Sequence, residues 1–271
     1  MKVYISVDIE GICGYVHWEQ STPESGQREE MRRLMVGEAN AAVAGAFDGG
    51  ATEVLVNDSH ASQRNIPPLE LDRRARLISG NTKPLSMMQG IEESFDAVFL
   101  VGYHAGAGCK GLLSHTYTGC VTEVRLNGQV AGEVDINAAV AGYFGVPVAL
   151  VTGDSAVCRD AVAALGAVET VPVKEPISRY SASCLQPETA REHVRSGARN
   201  ALARIAEFEP YTFDPPARLE LEFKHAGHAD RASLMPGSDR VDPVTVAYAS
   251  EDFIQVYRAF LTMLALADTV S

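Results

Sequence analysis

Three carboxylates and two histidines stand where chemistry could be done. Asp8 and Glu10 lie one residue apart in "SVDIEG" (6–11), at the end of the apolar run "KVYISV". An unpaired charge at the end of a buried strand costs several kcal/mol in desolvation, so two acids there call for a positive partner. His60 follows "EVLVNDS", His104 follows "AVFLVGY", and Glu133 opens "EVDINAAVAGYFG". Two imidazoles and three carboxylates suit zinc or another divalent transition metal. Five protein ligands exceed what one open catalytic zinc takes, which admits two metals sharing a carboxylate. Each residue also has a plainer reading. Asp8 could cap a turn, His60 could be a loop histidine, His104 a satisfied core histidine, and Glu133 a favourable charge in a helix's first turn. Only Glu10 is odd by itself, because Asp-Ile-Glu-Gly puts two acids on one side of an extended segment. The coincidence of all five raises the metal reading above the others.

His115, in "LLSHTYTG", follows a Gly-rich loop and has no second ligand beside it, so an acid–base role suits it as well as ligation does. His17 and Trp18 lie in the long first loop, where lining an entrance is the simplest role. His193 sits on a charged helical stretch and should be solvated. His225 and His228 have the i, i+3 spacing of a metal pair, but their Gly and Ala neighbours fit a loop at a site wall equally well. Two motifs mislead. Residues 106–111 match G-x-G-x-x-G, with Glu133 placed 22 residues after Gly111, as in a dinucleotide fold. The segment after Gly111 is rich in β-formers and interrupted by Gly119, so no helix start receives a pyrophosphate. "GDSAV" (153–157) approaches a nucleophile elbow but has Val157 where the last Gly belongs.

The elements that must position these residues alternate. A strand ends at Val7. Residues 27–48 carry Met31, Leu34, Met35, Ala39, Ala42 and Phe47 at helical spacing, and Gly49 and Gly50 stop the helix. Strands are expected at 52–58, 96–105 and 146–154, a hairpin at Asn127-Gly128, and a helix over 132–145. Near-continuous apolar strands separated by helices predict an α/β three-layer sandwich with a mostly parallel sheet. After about residue 170 come a charged helix (187–208), strands at 218–223 and 245–250, and a last helix (251–267), which together suggest a smaller C-terminal α+β lobe. The whole is expected to act as a single catalytic unit, 1–271, with lobes divided near 170. In open α/β sheets ligands bind at the carboxyl ends of the strands, where the candidate residues fall.

Composition narrows the partners. A net charge of −12 repels nucleic acid and anionic membrane surfaces. No apolar run nears the ~20 residues of a membrane span, and Asp8 and Glu10 interrupt the only candidate leader. Five cysteines with no C-x-x-C pair read as reduced thiols, so a cytoplasmic location is expected.

These blocks resemble a known family. "SVDIEG" is similar to the S-x-D-x-E-G signature of the zinc-dependent D-aminopeptidases associated with bacterial dipeptide-transport operons, peptidase family M55. "EVLVNDSH" (53–60), "LISG" (77–80), "FLVGYHA" (99–105), "LLSH" (112–115), "GEVDINAAVAGYFGVPVALVTGD" (132–154) and "LMPG" (234–237) resemble its other blocks in order. The loop from Ile12 to Gln27 departs most from the family pattern. The resemblance implies two Zn2+ per chain bridged by Asp8, with Glu10 and His104 completing one site and His60 and Glu133 the other, and His115 as the catalytic histidine. It further implies short peptides with an amino-terminal D-residue such as D-Ala as substrates, and a homo-oligomer of two stacked pentameric rings. A metal-dependent amidase or esterase of other specificity is the nearest alternative. A non-catalytic peptide-binding component of a transport system would not need His115 as a proton shuttle.

Overall fold

Residues 3–7 are buried without exception, and they bury in two directions. Val3, Ile5 and Val7 belong to one apolar cluster and Tyr4 to another, because successive side chains of a strand point to opposite faces. The same alternation occurs further along, where Phe99 and Val101 face one side and Val98 and Leu100 the other. A strand apolar on both faces needs cover on both, and this dictates the layers.

The computed structural model describes residues 1–270. The chain runs β1 (Lys2–Val7), α1 (Arg28–Asp48), β2 (Glu53–Asp58), β3 (Ala75–Ile78), β4 (Ala97–Tyr103), β5 (Val121–Leu126), β6 (Gln129–Val130), α2 (Glu133–Tyr143), β7 (Val148–Asp154), α3 (Ser155–Leu165), β8 (Glu169–Ser178), β9 (Ser181–Cys184), α4 (Pro187–Ala203), β10 (Ala217–Phe223), α5 (Ala226–Ala232), β11 (Asp239–Arg240), β12 (Thr245–Ser250) and α6 (Phe253–Ala267). Seven strands form one sheet in the order β3-β2-β1-β4-β7-β8-β9, parallel except for β9. On one face, α1 and α4 cover Val3, Ile5, Val54, Phe99, Leu150 and Val171. On the other, α2 and α3 share a cluster with Tyr4, Val98, Leu100 and Val148. The α/β sandwich with a mostly parallel sheet expected from the sequence is therefore present.

The second sheet is antiparallel, in the order β11-β12-β10-β5-β6, and α5 and α6 pack with it into the larger cluster through Phe223, Ala229, Val246 and Phe260. Its hairpin β5-β6, turned at Asn127 and Gly128, leaves the main sheet between β4 and α2, while β8, β9 and α4 remain with the main sheet. A division at residue 170 therefore does not follow the sheets. Chain order hides this, because the hairpin returns to pair with β10 some ninety residues later. Among the described residues no helix is long and apolar enough to cross a membrane.

The strand order places the site. From β1 the chain moves to β2 and β3 on one side and returns to β4 on the other. The connections leaving β1 and β4 therefore diverge at their carboxyl ends and open a crevice there.

Candidate metal centre

Asp8 and Glu10 leave β1 into that crevice. The turn that carries them lies against β4: Asp8 N donates to Val101 O at 2.8 Å and Gly11 N to Gly102 O at 2.7 Å. A Cβ on residue 11 would meet Tyr103 O at 1.9 Å, so the glycine after Glu10 is required by close backbone approach. Gly102 faces it at φ +75, where a Cβ would meet Asp8 O at 2.3 Å. His60 comes two residues after β2, His104 directly after β4, and Glu133 is the first residue of α2, where the helix dipole favours a carboxylate.

All of these side chains converge. His60 Nδ1 is 3.0 Å from Glu10 Oε2 and 3.3 Å from Asp8 Oδ1. His104 Nε2 is 3.5 Å from both Asp8 Oδ2 and Glu133 Oε1. His115 Nε2 lies 4.0 Å from Glu10 Oε1 and from Glu133 Oε1, and its ring stacks on that of His104 at 4.3 Å and 3°. Asp8, Glu10, Glu133 and His104 are at most 3% exposed. His115 is less enclosed, and it lines a cavity of about 370 Å³ together with Asp8, Glu10, His60, Glu133 and Trp18.

The imidazoles are oriented from behind. His104 Nδ1 bonds Ala105 O at 2.9 Å, and His115 Nδ1 bonds Leu113 O at 2.9 Å. A carbonyl accepts only, so each Nδ1 carries a proton and each Nε2 is turned toward the carboxylates. Tyr117 N donates to Glu133 Oε1 at 2.7 Å, and Tyr117 Oη meets Tyr257 Oη at 2.8 Å. Beneath Asp8, Ser6 Oγ is bonded to Ser59 Oγ (2.6 Å), Tyr103 Oη (2.7 Å) and Met87 O (2.8 Å).

Three buried carboxylates demand positive charge, and the ionisation of the cluster shows the demand. Burial alone would raise the Asp8 carboxyl, but the imidazoles of His104, at 3.5 Å, and His60, at 3.3 Å, hold it well below the usual carboxylate range. Burial would likewise depress both imidazoles. Glu10 beside His60 and Glu133 beside His104, with Asp8 next to each, push both well above the ordinary histidine range instead. His104 Nε2 is fully buried and makes no hydrogen bond. Two sets of ligand atoms lie within 4.8 Å of one another: Asp8, Glu10 and His104, and His104, His115 and Glu133. A buried ring nitrogen without a hydrogen-bond partner, amid three buried carboxylates, fits a divalent cation bound by N and O ligands.

Other expectations resolve differently. Trp18 stands edge-on to His115 at 5.7 Å and lines the cavity, while His17 lies outside it against Tyr180 at 5.0 Å. His225 and His228 are neighbours, 4.0 Å apart, at the start of α5, but they do not reach the cavity; His228 Nδ1 bonds Ala267 O at 3.1 Å. The near-elbow at "GDSAV" is a helix cap: Asp154 Oδ1 accepts from Val157 N at 2.8 Å and starts α3. Sequence reasoning missed Ser59, Gln63, Ser86, Met87 and Tyr117, which also line the cavity. None carries a spacing signal, because loops from distant parts of the chain bring them together.

Comparison with known proteins places the chain in a family. The sequence matches the profile of the Peptidase M55 family, described as D-aminopeptidase, over residues 1–262. It is 39% identical over 272 residues to the D-aminopeptidase of Bacillus subtilis (strain 168), covering 98% of each chain. A solved structure, that of the Zn-dependent D-aminopeptidase DppA from Bacillus subtilis, a self-compartmentalizing protease, matches with a TM-score of 0.98 at 37% identity, over 100% of this chain and 99% of that one.

Proposed function

Because the chain belongs to the Peptidase M55 family of D-aminopeptidases, we propose that it is a zinc aminopeptidase that removes the amino-terminal residue, a D-amino acid such as D-Ala, from short peptides or amides. The observation that carries this reading is the buried convergence of three carboxylates on His60 and on an otherwise unpartnered His104 Nε2. Asp8, Glu10, His60, His104 and Glu133 would hold two Zn2+, with Asp8 shared, Glu10 and His104 completing one site and His60 and Glu133 the other. Bound there, zinc supplies Lewis-acid polarisation of the scissile carbonyl and lowers the pKa of water to about 7.

The remaining steps belong to the chain. His115 has its Nδ1 proton fixed on Leu113 O, so Nε2 is the atom able to hold a proton and pass it to the leaving amine. Its position on the cavity wall suits this, whereas His104 is closed off beneath it. Trp18, perpendicular to the His115 ring, adds apolar surface to the cavity wall beside it. A cavity of about 370 Å³ is at the small end of ligand sites, which favours short peptides. Assembly into a closed homo-oligomer, two stacked pentamers, would restrict access in the same sense; the relative of known structure is self-compartmentalizing.

The test is hydrolysis of D-Ala-D-Ala and L-Ala-L-Ala by the purified protein, before and after chelation and after zinc is restored. We expect a higher kcat/KM on the D-peptide, loss with the chelator and recovery with zinc. Equal or greater kcat/KM on the L-peptide would overturn the stereochemical part, and full activity without metal the rest.

A further inference from the structure

Two lysines are buried behind the metal centre, and neither makes a salt bridge with a carboxylate among the described residues. Lys174, on β8, gives its ammonium to three backbone carbonyls of one loop: Glu10 O at 2.6 Å, Ile12 O at 2.8 Å and Tyr15 O at 2.6 Å. Three acceptors around one nitrogen match the three N–H donors of an ammonium, and a neutral amine has only two. Lys83, in the connection after β3, reaches Asp58 O at 2.7 Å and also the Asn57 side-chain oxygen. Asn57 and Asp58 end β2, immediately before the loop of His60.

Two of the segments that carry proposed ligands are thus gripped from behind by buried cations, the Asp8-Glu10 turn by Lys174 and the end of β2 that leads to His60 by Lys83. Carbonyl groups bonded to an ammonium cannot rotate without leaving a buried charge unsatisfied, so the grip is stiff. Further contacts brace the same loops. Glu38 Oε1 accepts from Cys13 N at 2.8 Å, and Asp58 Oδ2 accepts from Ile66 N at 2.7 Å. We propose that Lys174 and Lys83 are positioning residues that set the metal-binding geometry of Glu10 and His60. This inference rests on the proposed zinc site. Outer contacts of this kind govern metal affinity because they fix ligand orientation before the ion arrives.

The test is zinc affinity by chelator competition on wild-type protein, Lys174→Met and Lys83→Met, with Val43→Ala as control. Val43 is a fully buried residue of α1 in the core, and its truncation destabilises the fold while leaving the hydrogen bonds of both lysines in place. Both lysine variants, folded by circular dichroism, should bind zinc roughly 10- to 100-fold more weakly than wild type, while Val43→Ala retains wild-type affinity. Wild-type affinity in a folded Lys174→Met or Lys83→Met variant would overturn the proposal for that residue. If one variant does not fold, the other decides. Failure of both to fold with zinc present would overturn it as well, assigning the lysines to the fold. A wild-type protein that binds no zinc would instead refute the proposed zinc aminopeptidase function.

Discussion

His104 and His115 stack in parallel 4.3 Å apart, yet their surroundings give them different work. His104 is wholly enclosed, with Nε2 3.5 Å from two carboxylates, as suits a ligand. His115 is more open and half an ångström further from its nearest carboxylates, as suits a group that meets substrate. His115→Ala should keep its zinc while kcat falls roughly 10²- to 10⁴-fold. His104→Ala should lose zinc, with activity tracking metal content and partly relieved by excess zinc. Metal analysis with steady-state kinetics on both variants checks this, and loss of zinc from His115→Ala would make His115 a ligand. Asp8, Glu10, His60 and His104 were legible because a charged or imidazole side chain stands out just after an apolar run, and Glu133 because it opens a helix. The residues that orient them were not. Tyr117 contributes a backbone amide, Ala105 and Leu113 contribute carbonyls, and no side-chain type announces such roles. Lys174 left one faint mark, a lysine inside the mostly apolar "TVPVK".

At the scale of elements, the strands beneath the site were readable because burial on both faces forces continuous apolar runs, as in β1, β4 and β7. β8 and β9 were obscured: β8 carries Pro172, Lys174, Glu175 and Pro176, and β9, four residues long, is the edge strand of the sheet and mostly exposed. α3 was hidden by the resemblance of its cap to a catalytic turn. The join between α1 and the Glu10 loop also carries a pH signature. Burial raises the Glu38 carboxyl to about 7, against which the Cys13 amide acts in the opposite sense, and Oε2 has no partner. Between about pH 4.5 and 7 the folded chain keeps a proton on Glu38 that the unfolded chain has released. Stability from this group is therefore fully present below that window and is lost as pH rises through it, by on the order of 3 kcal/mol. Glu38→Gln stays neutral throughout. Thermal midpoints of metal-free protein at about pH 5 and 7.5, either side of most of that window, should fall more for wild type than for the variant; parallel falls would show that Glu38 titrates normally.

For the whole molecule, the second sheet matters because α6, which packs with it, braces the cavity-lining Tyr117 from outside: Tyr257 of α6 reaches both Tyr117 Oη, at 2.8 Å, and Leu85 O, at 3.2 Å. That partnership joins residues 140 apart in sequence, beyond what periodicity can reveal. Oligomerisation is a property of this larger scale. Light scattering should report a particle many times the 29.0 kDa chain, about 290 kDa if ten chains assemble, and a monomer at micromolar concentration would contradict the closed-chamber reading. The central claim concerns what Asp8, Glu10, His60, His104 and Glu133 hold. Anomalous diffraction from crystals of the zinc-loaded protein, recorded on both sides of the zinc absorption edge, addresses it directly. The account predicts two peaks per chain, both among those five residues and in reach of Asp8. A single peak would refute the dinuclear arrangement, and peaks elsewhere, or none, would contradict the assignment of the site itself.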